Sequence, residues 1–147
     1  MEGVSLVLGG VAIDHPRGLA GHSDGDVLAH ALTDAVLGAA GRGDIGTLFP
    51  PGDAEWEGAS SIDLLAKAFA EVRAAGWELV NADVVLIGEQ PRIARLRPEM
   101  EARFADVLGG PVSVRATTTD GLGFTGRGEG LAAQAVALLR QSGDSGS

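Results

Sequence analysis

Apolar residues run along this chain in two rhythms, and the switches between them outline its elements. Val4 to Ile13 is largely apolar and β-branched with Gly9-Gly10 in its middle, which predicts two short strands joined at a glycine turn. After a loop, Asp14 to Gly21, the run Ser23-Asp24-Gly25-Asp26 gives a helix-capping signal. Val27, Ala31, Leu32, Ala35, Val36 and Ala39 then recur at helical spacing to Ala40, with Gly41 and Gly43 as stops. Arg42 to Gly58 reads as a long loop with turn chemistry at Phe49 to Asp53. Ser60 or Ser61 can cap a second helix that ends near Gly76 and faces Leu64, Leu65, Ala68, Phe69 and Val72 inward. Trp77 to Ile87 reads as a strand, Ile93 to Leu108 as a third helix and Pro111 to Thr118 as another strand. The glycine-dense run Gly121 to Gly130 precedes a short apolar helix, Leu131 to Leu139. Gln141 to Ser147 is expected to be a disordered tail. No repeat or linker divides the chain, so residues 1–140 form one domain. The class is α+β, resembling an α/β sandwich, with a mixed sheet and helices packed on one face.

Composition narrows the function. Of 147 residues, 45% are hydrophobic and 21% charged, which excludes a wholly disordered chain. Glycine is in excess, at 23 residues against a usual share of roughly 7%. The net charge of −9 makes nucleic acid and anionic membranes poor partners. An anionic ligand must therefore be attracted locally, by oriented N–H groups, a metal or a well-placed Arg. Cysteine is absent, which removes disulfides, thiolate metal sites and a cysteine nucleophile. With no run of 18 apolar residues and no basic leader, a cytoplasmic location is expected.

The densest polar constellation is His22-Ser23-Asp24-Gly25-Asp26 with His30 and Asp34. Asp26, His30 and Asp34 are spaced i, i+4, i+8, one above another on a helix. That stripe suits a metal-ligating imidazole oriented by carboxylates, and equally a solvated face with two ion pairs. His22 and Ser23 stand where a helix N-terminus would receive a phosphate; Ser23 or Asp24 could also simply cap the helix. Ala116-Thr117-Thr118-Thr119-Asp120 ends a strand with hydroxyls suited to phosphate oxygens and a carboxylate suited to Mg²⁺. Pro91-Arg92 follows a strand and could bring a guanidinium to the same ligand.

Together these segments resemble the 2-C-methyl-D-erythritol 2,4-cyclodiphosphate synthase family, from about Leu6 to Leu139. The resemblance rests on Ala20 to Asp26, His30 to Ala35, Gly43-Asp44-Ile45-Gly46, Leu48-Phe49-Pro50, and Ala116 to Thr119 continuing to Gly123 to Gly130. It implies an enzyme, a phosphorus–oxygen lyase of non-mevalonate isoprenoid synthesis. In that reaction the 2-phosphate of a cytidine-diphosphate-linked methylerythritol attacks the β-phosphorus of the same molecule and expels CMP. It also implies a homotrimer with active sites between subunits. By resemblance, His22 and Ser23 hold the 2-phosphate, and His22 and Thr118 are the catalytic pair that stabilises the transferring group. Asp44, Ile45 and Gly46 contact the methylerythritol, and Phe49, Pro50, Pro51, Gly52 and Asp53 form a flap. Gly88, Glu89, Gln90, Pro91, Arg92, Ile93 and Ala94 cradle the cytidine. Ala116, Thr117, Thr118 and Thr119 take the diphosphate, Asp120 holds Mg²⁺ or Mn²⁺, and Phe124 and Arg127 line the remaining binding region and a central channel.

Several features depart from the family pattern. Arg92 replaces a frequent Lys, Asp120 a frequent Glu, and Pro51 a frequent Asp. The family's opening strand carries an Asp-x-His motif that joins the helical His on Zn²⁺, whereas this sequence starts at the next strand. His30 thus stands as one of three expected ligands, His15 matches none, and the zinc site is expected to be incomplete. Two expectations stay open. Either the natural start lies upstream and the protein is an ordinary synthase, or this is a truncated or vestigial relative. The latter would trimerise and bind cytidine nucleotide or diphosphate without efficient catalysis.

Overall fold

A computed structural model describes residues 6–13, 26–50, 60–88, 92–118 and 131–143. Strands β1 (Leu6–Leu8) and β2 (Val11–Ile13) form an antiparallel hairpin. Its turn is Gly9-Gly10, both at positive φ (59° and 74°), the conformation a two-residue hairpin turn needs to follow the strand twist. Four helices follow the hairpin: α1 (Val27–Ala39), α2 (Ile45–Leu48), α3 (Ser61–Ala74) and, after β3 (Trp77–Ile87), α4 (Arg97–Leu108). The chain closes with β4 (Val112–Thr117) and β5 (Ala132–Gln141).

The larger sheet has the order β4-β3-β5. β3 and β4 are parallel with α4 as their crossover, and β3 and β5 are antiparallel, so the sheet is mixed as expected. Leu79, Ala82, Val84 and Leu86 of β3 alternate inward, and so do Val112 and Val114 of β4. They meet Leu28, Leu32 and Val36 of α1, Leu65, Phe69 and Val72 of α3, and Met100, Phe104 and Leu108 of α4 in one core. The opposite sheet face carries exposed Asn81, Ser113, Arg115, Gln134, Val136, Leu138 and Arg140. Two ion pairs cross it: Arg115 grips Asp83 with two bonds of 2.9 and 2.7 Å, and Arg140 bonds Glu78. The Arg115 guanidinium holds the Asp83 carboxyl below the usual aspartate range. On the far side of β4, Glu101 of α4 accepts the Val114 N–H at 2.8 Å, which covers part of that sheet edge.

Several expectations need correction. Leu131 to Leu139 is not a helix but most of β5, its registers Ala132 to Gln141 opposite Ile87 to Trp77. Alanine and leucine favour a helix locally, yet Ala133, Ala135, Ala137 and Leu139 are half-buried while Gln134, Val136, Leu138 and Arg140 are exposed. That is a period of two, and pairing along the whole length of β3 outweighs propensity. The expected tail also begins later: Gln141 pairs with Trp77, and the Ser142 N–H bonds Gly76 O at 2.8 Å. Next, α4 starts at Arg97 rather than Ile93, because Pro98 inside a longer helix would cost a backbone bond but is tolerated in the first turn. Finally, the long loop 42–58 contains α2, capped by Asp44.

The cap of α1 is Asp26, not Ser23 or Asp24, and its carboxylate does more than cap. Fully buried, it accepts the N–H groups of Ala29 (3.0 Å), Gly9 (3.0 Å) and Gly10 (2.9 Å). The hairpin turn is thereby fastened to the start of α1. We expect Asp26→Ala to destabilise the fold by roughly 3 kcal/mol, about 1 for the cap and the rest for buried N–H groups left unpaired. Denaturant unfolding checks this, and a loss below about 1 kcal/mol contradicts the clamp.

Candidate functional site

The parallel pair β3–β4 ends its two strands side by side, with Ile87 opposite Thr117 and the Gly88 N–H donating to Thr117 O at 3.1 Å. Loops at the carboxyl ends of parallel strands are where α/β sheets receive ligands. Here Gly88, Arg92, Ile93, Ala94, Ala116, Thr117 and Thr118 line one cleft of about 400 Å³. Two segments separated in sequence, one expected to hold cytidine and one expected to hold diphosphate, therefore share a pocket. Ile93 is only 1% exposed and pins its loop into the core, so Arg92 and Ala94 beside it stand at the exposed mouth. Its carbonyl accepts both Leu96 N–H (2.9 Å) and Arg97 N–H (3.0 Å), which turns the chain into α4.

Arg97 also lines this cleft and is absent from the residues expected from the sequence. A helix begun at Ile93 would have placed it in the second turn, whereas the true start puts it at the helix opening. Its signal was Pro98, which marks a first turn. Neither Arg92 nor Arg97 has an ion-pair partner among the described residues, and no carboxylate stands among the described lining residues. In a protein of net charge −9, this concentrates positive potential where an anion would enter.

The second group lies on α1 and the segments packed on it. In the polar stripe Asp26, His30, Asp34 neither carboxylate orients the imidazole and no ion pair forms between the three side chains. Each member holds a different neighbour, and burial falls along the stripe. Asp26 takes the hairpin turn, His30 Nε2 lies 2.9 Å from the Oγ of buried Ser61 on α3, and exposed Asp34 accepts the Ile45 N–H at 2.7 Å. The last bond sets the start of α2, where the Asp44 carboxylate accepts the Thr47 N–H and hydroxyl, each at 2.8 Å. Those bonds, the hydroxyl's first, hold the exposed Asp44 carboxyl below its ordinary 3.8. Phe49 closes α2 with its ring packed in the core, so it serves as the fixed root of the expected flap, while Pro50 is exposed.

His22, Ser23, His15, Pro51, Gly52, Asp53, Glu89, Gln90, Pro91, Thr119, Asp120, Phe124 and Arg127 lie outside the described residues. Among the described residues no three His, Cys, Asp or Glu side chains gather as a metal would require. The fit to a cation therefore rests on His30. Its Nε2 lies within hydrogen-bond distance of the Ser61 hydroxyl, and one imidazole is fewer ligands than a cation site takes, so the described residues alone do not fit a metal. No helix among the described residues is long and apolar enough to cross a membrane.

Fold and cleft together define a small α+β domain with a cleft at the ends of two parallel strands, its described lining carrying two guanidiniums. The chain belongs to the YgbB family, whose model matches residues 1–140. It is 55% identical over 142 residues to the 2-C-methyl-D-erythritol 2,4-cyclodiphosphate synthase of Moorella thermoacetica, covering 95% of this chain and 87% of that protein. Among solved structures it is similar to a 2C-methyl-D-erythritol-2,4-cyclodiphosphate synthase in a CDP-bound form, with TM-score 0.86 and 37% identity over 95% of this chain and 93% of that one. It is also similar to the bifunctional IspDF of Campylobacter jejuni, with TM-score 0.89 and 44% identity, covering 96% of this chain and 39% of that one.

The geometry at α2 yields a titration. With the folded pKa depressed, the Asp44 contribution to stability is present above the unfolded value and is lost as pH falls through the folded one. We expect carboxyl-detected NMR to place Asp44 below 3.8, and Thr47→Val to move it upward. An unchanged value in the variant contradicts the Thr47 assignment.

Proposed function

We propose that this protein cyclises 4-diphosphocytidyl-2-C-methyl-D-erythritol 2-phosphate to 2-C-methyl-D-erythritol 2,4-cyclodiphosphate with release of CMP. The observation that carries the reading is the shared cleft, in which Gly88 and Arg92 to Ala94 meet Ala116 to Thr118. High identity to synthases along almost the whole chain supports the same reaction.

The chemistry asks for positioning and charge neutralisation rather than a protein nucleophile. An oxygen of the substrate's 2-phosphate attacks its own β-phosphorus, the bond from that phosphorus to the bridging oxygen breaks, and CMP leaves with the electron pair. The 2-phosphate and the diphosphate both carry negative charge, so the barrier falls when they are held together and neutralised. Arg92 and Arg97 would neutralise the diphosphate, and Thr117 and Thr118 would donate hydroxyl and N–H groups to it, Thr118 at the transferring phosphorus. His22 and Ser23 would hold the 2-phosphate, Asp44 to Gly46 the methylerythritol hydroxyls, and Phe49 to Asp53 the flap above. Glu89, Gln90 and Pro91 would complete the cytidine cradle, with Thr119, Phe124 and Arg127 bordering the remainder. The metal reading assigns His30 to Zn²⁺ and Asp120 to Mg²⁺ or Mn²⁺. Bound there, divalent cations would neutralise phosphate charge.

The reading includes a homotrimer with sites shared between subunits. Its support is the sheet face turned away from the helices, where Val136 is 73% and Leu138 54% exposed, an unusual exposure for large aliphatic residues. Sedimentation is expected to give three chains per particle, and Leu138→Asp to dissociate it. A monomeric wild type overturns the assembly.

CMP release from the cytidine-diphosphate substrate, with Zn²⁺ and Mg²⁺ supplied, tests the activity directly. We expect Thr118→Ala to lower kcat about 10²- to 10³-fold, as loss of one oxyanion donor does. Arg92→Ala is expected to weaken CDP binding about tenfold, the cost of one charge-assisted bond. No CMP release with CDP affinity retained would favour the second reading, a relative that binds cytidine nucleotide without efficient catalysis.

A further inference from the structure

We propose that Asp34 is a positioning residue for sugar recognition: its carboxylate fixes the tilt of α2, and with it the Asp44 side chain that meets the substrate's hydroxyls. The inference rests on the reading above that gives Asp44 to Gly46 to the methylerythritol. α2 cannot place itself. It has four residues, Ile45–Leu48, none of them buried, and so short a helix is marginal without outside bonds. Its C-terminal end is rooted by Phe49, whose ring packs in the core. At its N-terminal end the Asp44 carboxylate is spent inside the helix, on the N–H and hydroxyl of Thr47. Among the described residues, the hydrogen bond that ties this end to α1 is the one Asp34 accepts from the Ile45 N–H, at 2.7 Å.

The chain between the two residues is built for that return. α1 ends in a Schellman turn, with the Gly41 N–H on Gly38 O at 3.1 Å and the Arg42 N–H on Leu37 O at 2.8 Å. Gly41 and Gly43 both adopt positive φ, 68° and 94°, so the chain doubles back between Ala40 and Ile45 and meets α1 again at Asp34. The Ile45 N–H is a first-turn donor with no acceptor inside α2, so its partner must come from outside the helix. A carboxylate gives it a charge-assisted bond, stronger and more exacting than a neutral one. Asp34 is exposed and forms no ion pair among the described residues, so this bond is the use the structure shows for its carboxylate. Asp44 Oδ1 takes both Thr47 donors, which makes the short helix and the Asp44 carboxylate one unit. A change of tilt at Ile45 therefore reaches Asp44 undamped.

Steady-state kinetics with the cytidine-diphosphate-linked substrate, set beside the inhibition constant of CDP, test this. CDP lacks the methylerythritol end, so it reports on the β3–β4 cleft without α2. Asp34→Ala is expected to lower kcat/KM about 10- to 100-fold, the cost of misplacing a positioning group by about 1 Å, and to leave CDP inhibition unchanged. Asp34→Asn keeps an acceptor oxygen and is expected to recover most of the loss. Added to Asp44→Asn, Asp34→Ala is expected to cost little more than Asp44→Asn alone, because both act at one group. Hydrogen exchange at the Ile45 amide is expected to quicken in Asp34→Ala. A wild-type kcat/KM in Asp34→Ala, an equal loss of CDP affinity, additive losses in the double variant or an unchanged Ile45 exchange rate overturns the proposal. A merely structural Asp34 would give the second of these outcomes. If Asp34→Ala does not fold, Asp34→Glu, which displaces the oxygen by one methylene, is held to the same outcomes. If the wild type releases no CMP, the function reading fails and titration decides the proposal by itself. The methylerythritol compound is then expected to bind more tightly than CDP in wild type and to lose that advantage in Asp34→Ala. Equal affinities in wild type, or an advantage kept in the variant, overturn it.

Discussion

A single buried carboxylate ties the first part of this fold together. Asp26 accepts backbone N–H groups from its own helix and from a hairpin turn 16 and 17 positions earlier. The two glycines of that turn adopt positive φ, and a side chain at Gly9 would strike Met100 of α4 at 2.6 Å. The hairpin can therefore approach only as bare backbone, and bare backbone needs an acceptor once it is buried. Asp26 supplies it, at the helix end where a negative charge is also favoured by the unpaired N–H groups.

From that anchor, α1 distributes the site. One turn further along, His30 meets α3 through Ser61, and another turn on, Asp34 fixes the start of α2 and with it Asp44. One helix thus holds three segments in register by three side chains at four-residue spacing. The polar stripe is costly to build into a half-buried helix face, and its members are satisfied by neighbours rather than by one another. The cleft is made differently. It needs no helix stripe, only two parallel strands that end in register and a crossover that starts late enough to leave Arg92 and Arg97 at its mouth.

The charge of the molecule fits this division. A surface of net −9 does not attract phosphates, yet the lining of the cleft contains two guanidiniums and no carboxylate among its described residues. Local arrangement of a few cations and oriented N–H groups outweighs a distant field that salt screens within about 8 Å at physiological ionic strength. Attraction of an anionic substrate is thus a property of the site and not of the whole protein.

Local chemistry in the sequence determined much of this. The Gly-Gly turn, the α1 and α3 periodicities, the Ser60 cap, the full extent of β3 and most of β4 each depend on residues adjacent in the chain, and each is present. The segments that the family resemblance implies for cytidine and diphosphate lie apart in the chain, and the structure brings their described residues to one cleft. Tertiary structure alone decided the remainder. Leu131 to Leu139 could satisfy a helix or a strand, and only the open edge of β3 chose the strand. Pro98 marked the start of α4 locally, but only the packing of β3, β4 and α4 put Arg97 at the cleft. The roles of Asp26, His30 and Asp34 depended on partners up to 31 positions away, Ser61 being the most distant. Periodicity records which face of an element is polar; it holds no record of what that face will touch, because the contact is created by packing between segments that the chain itself keeps apart.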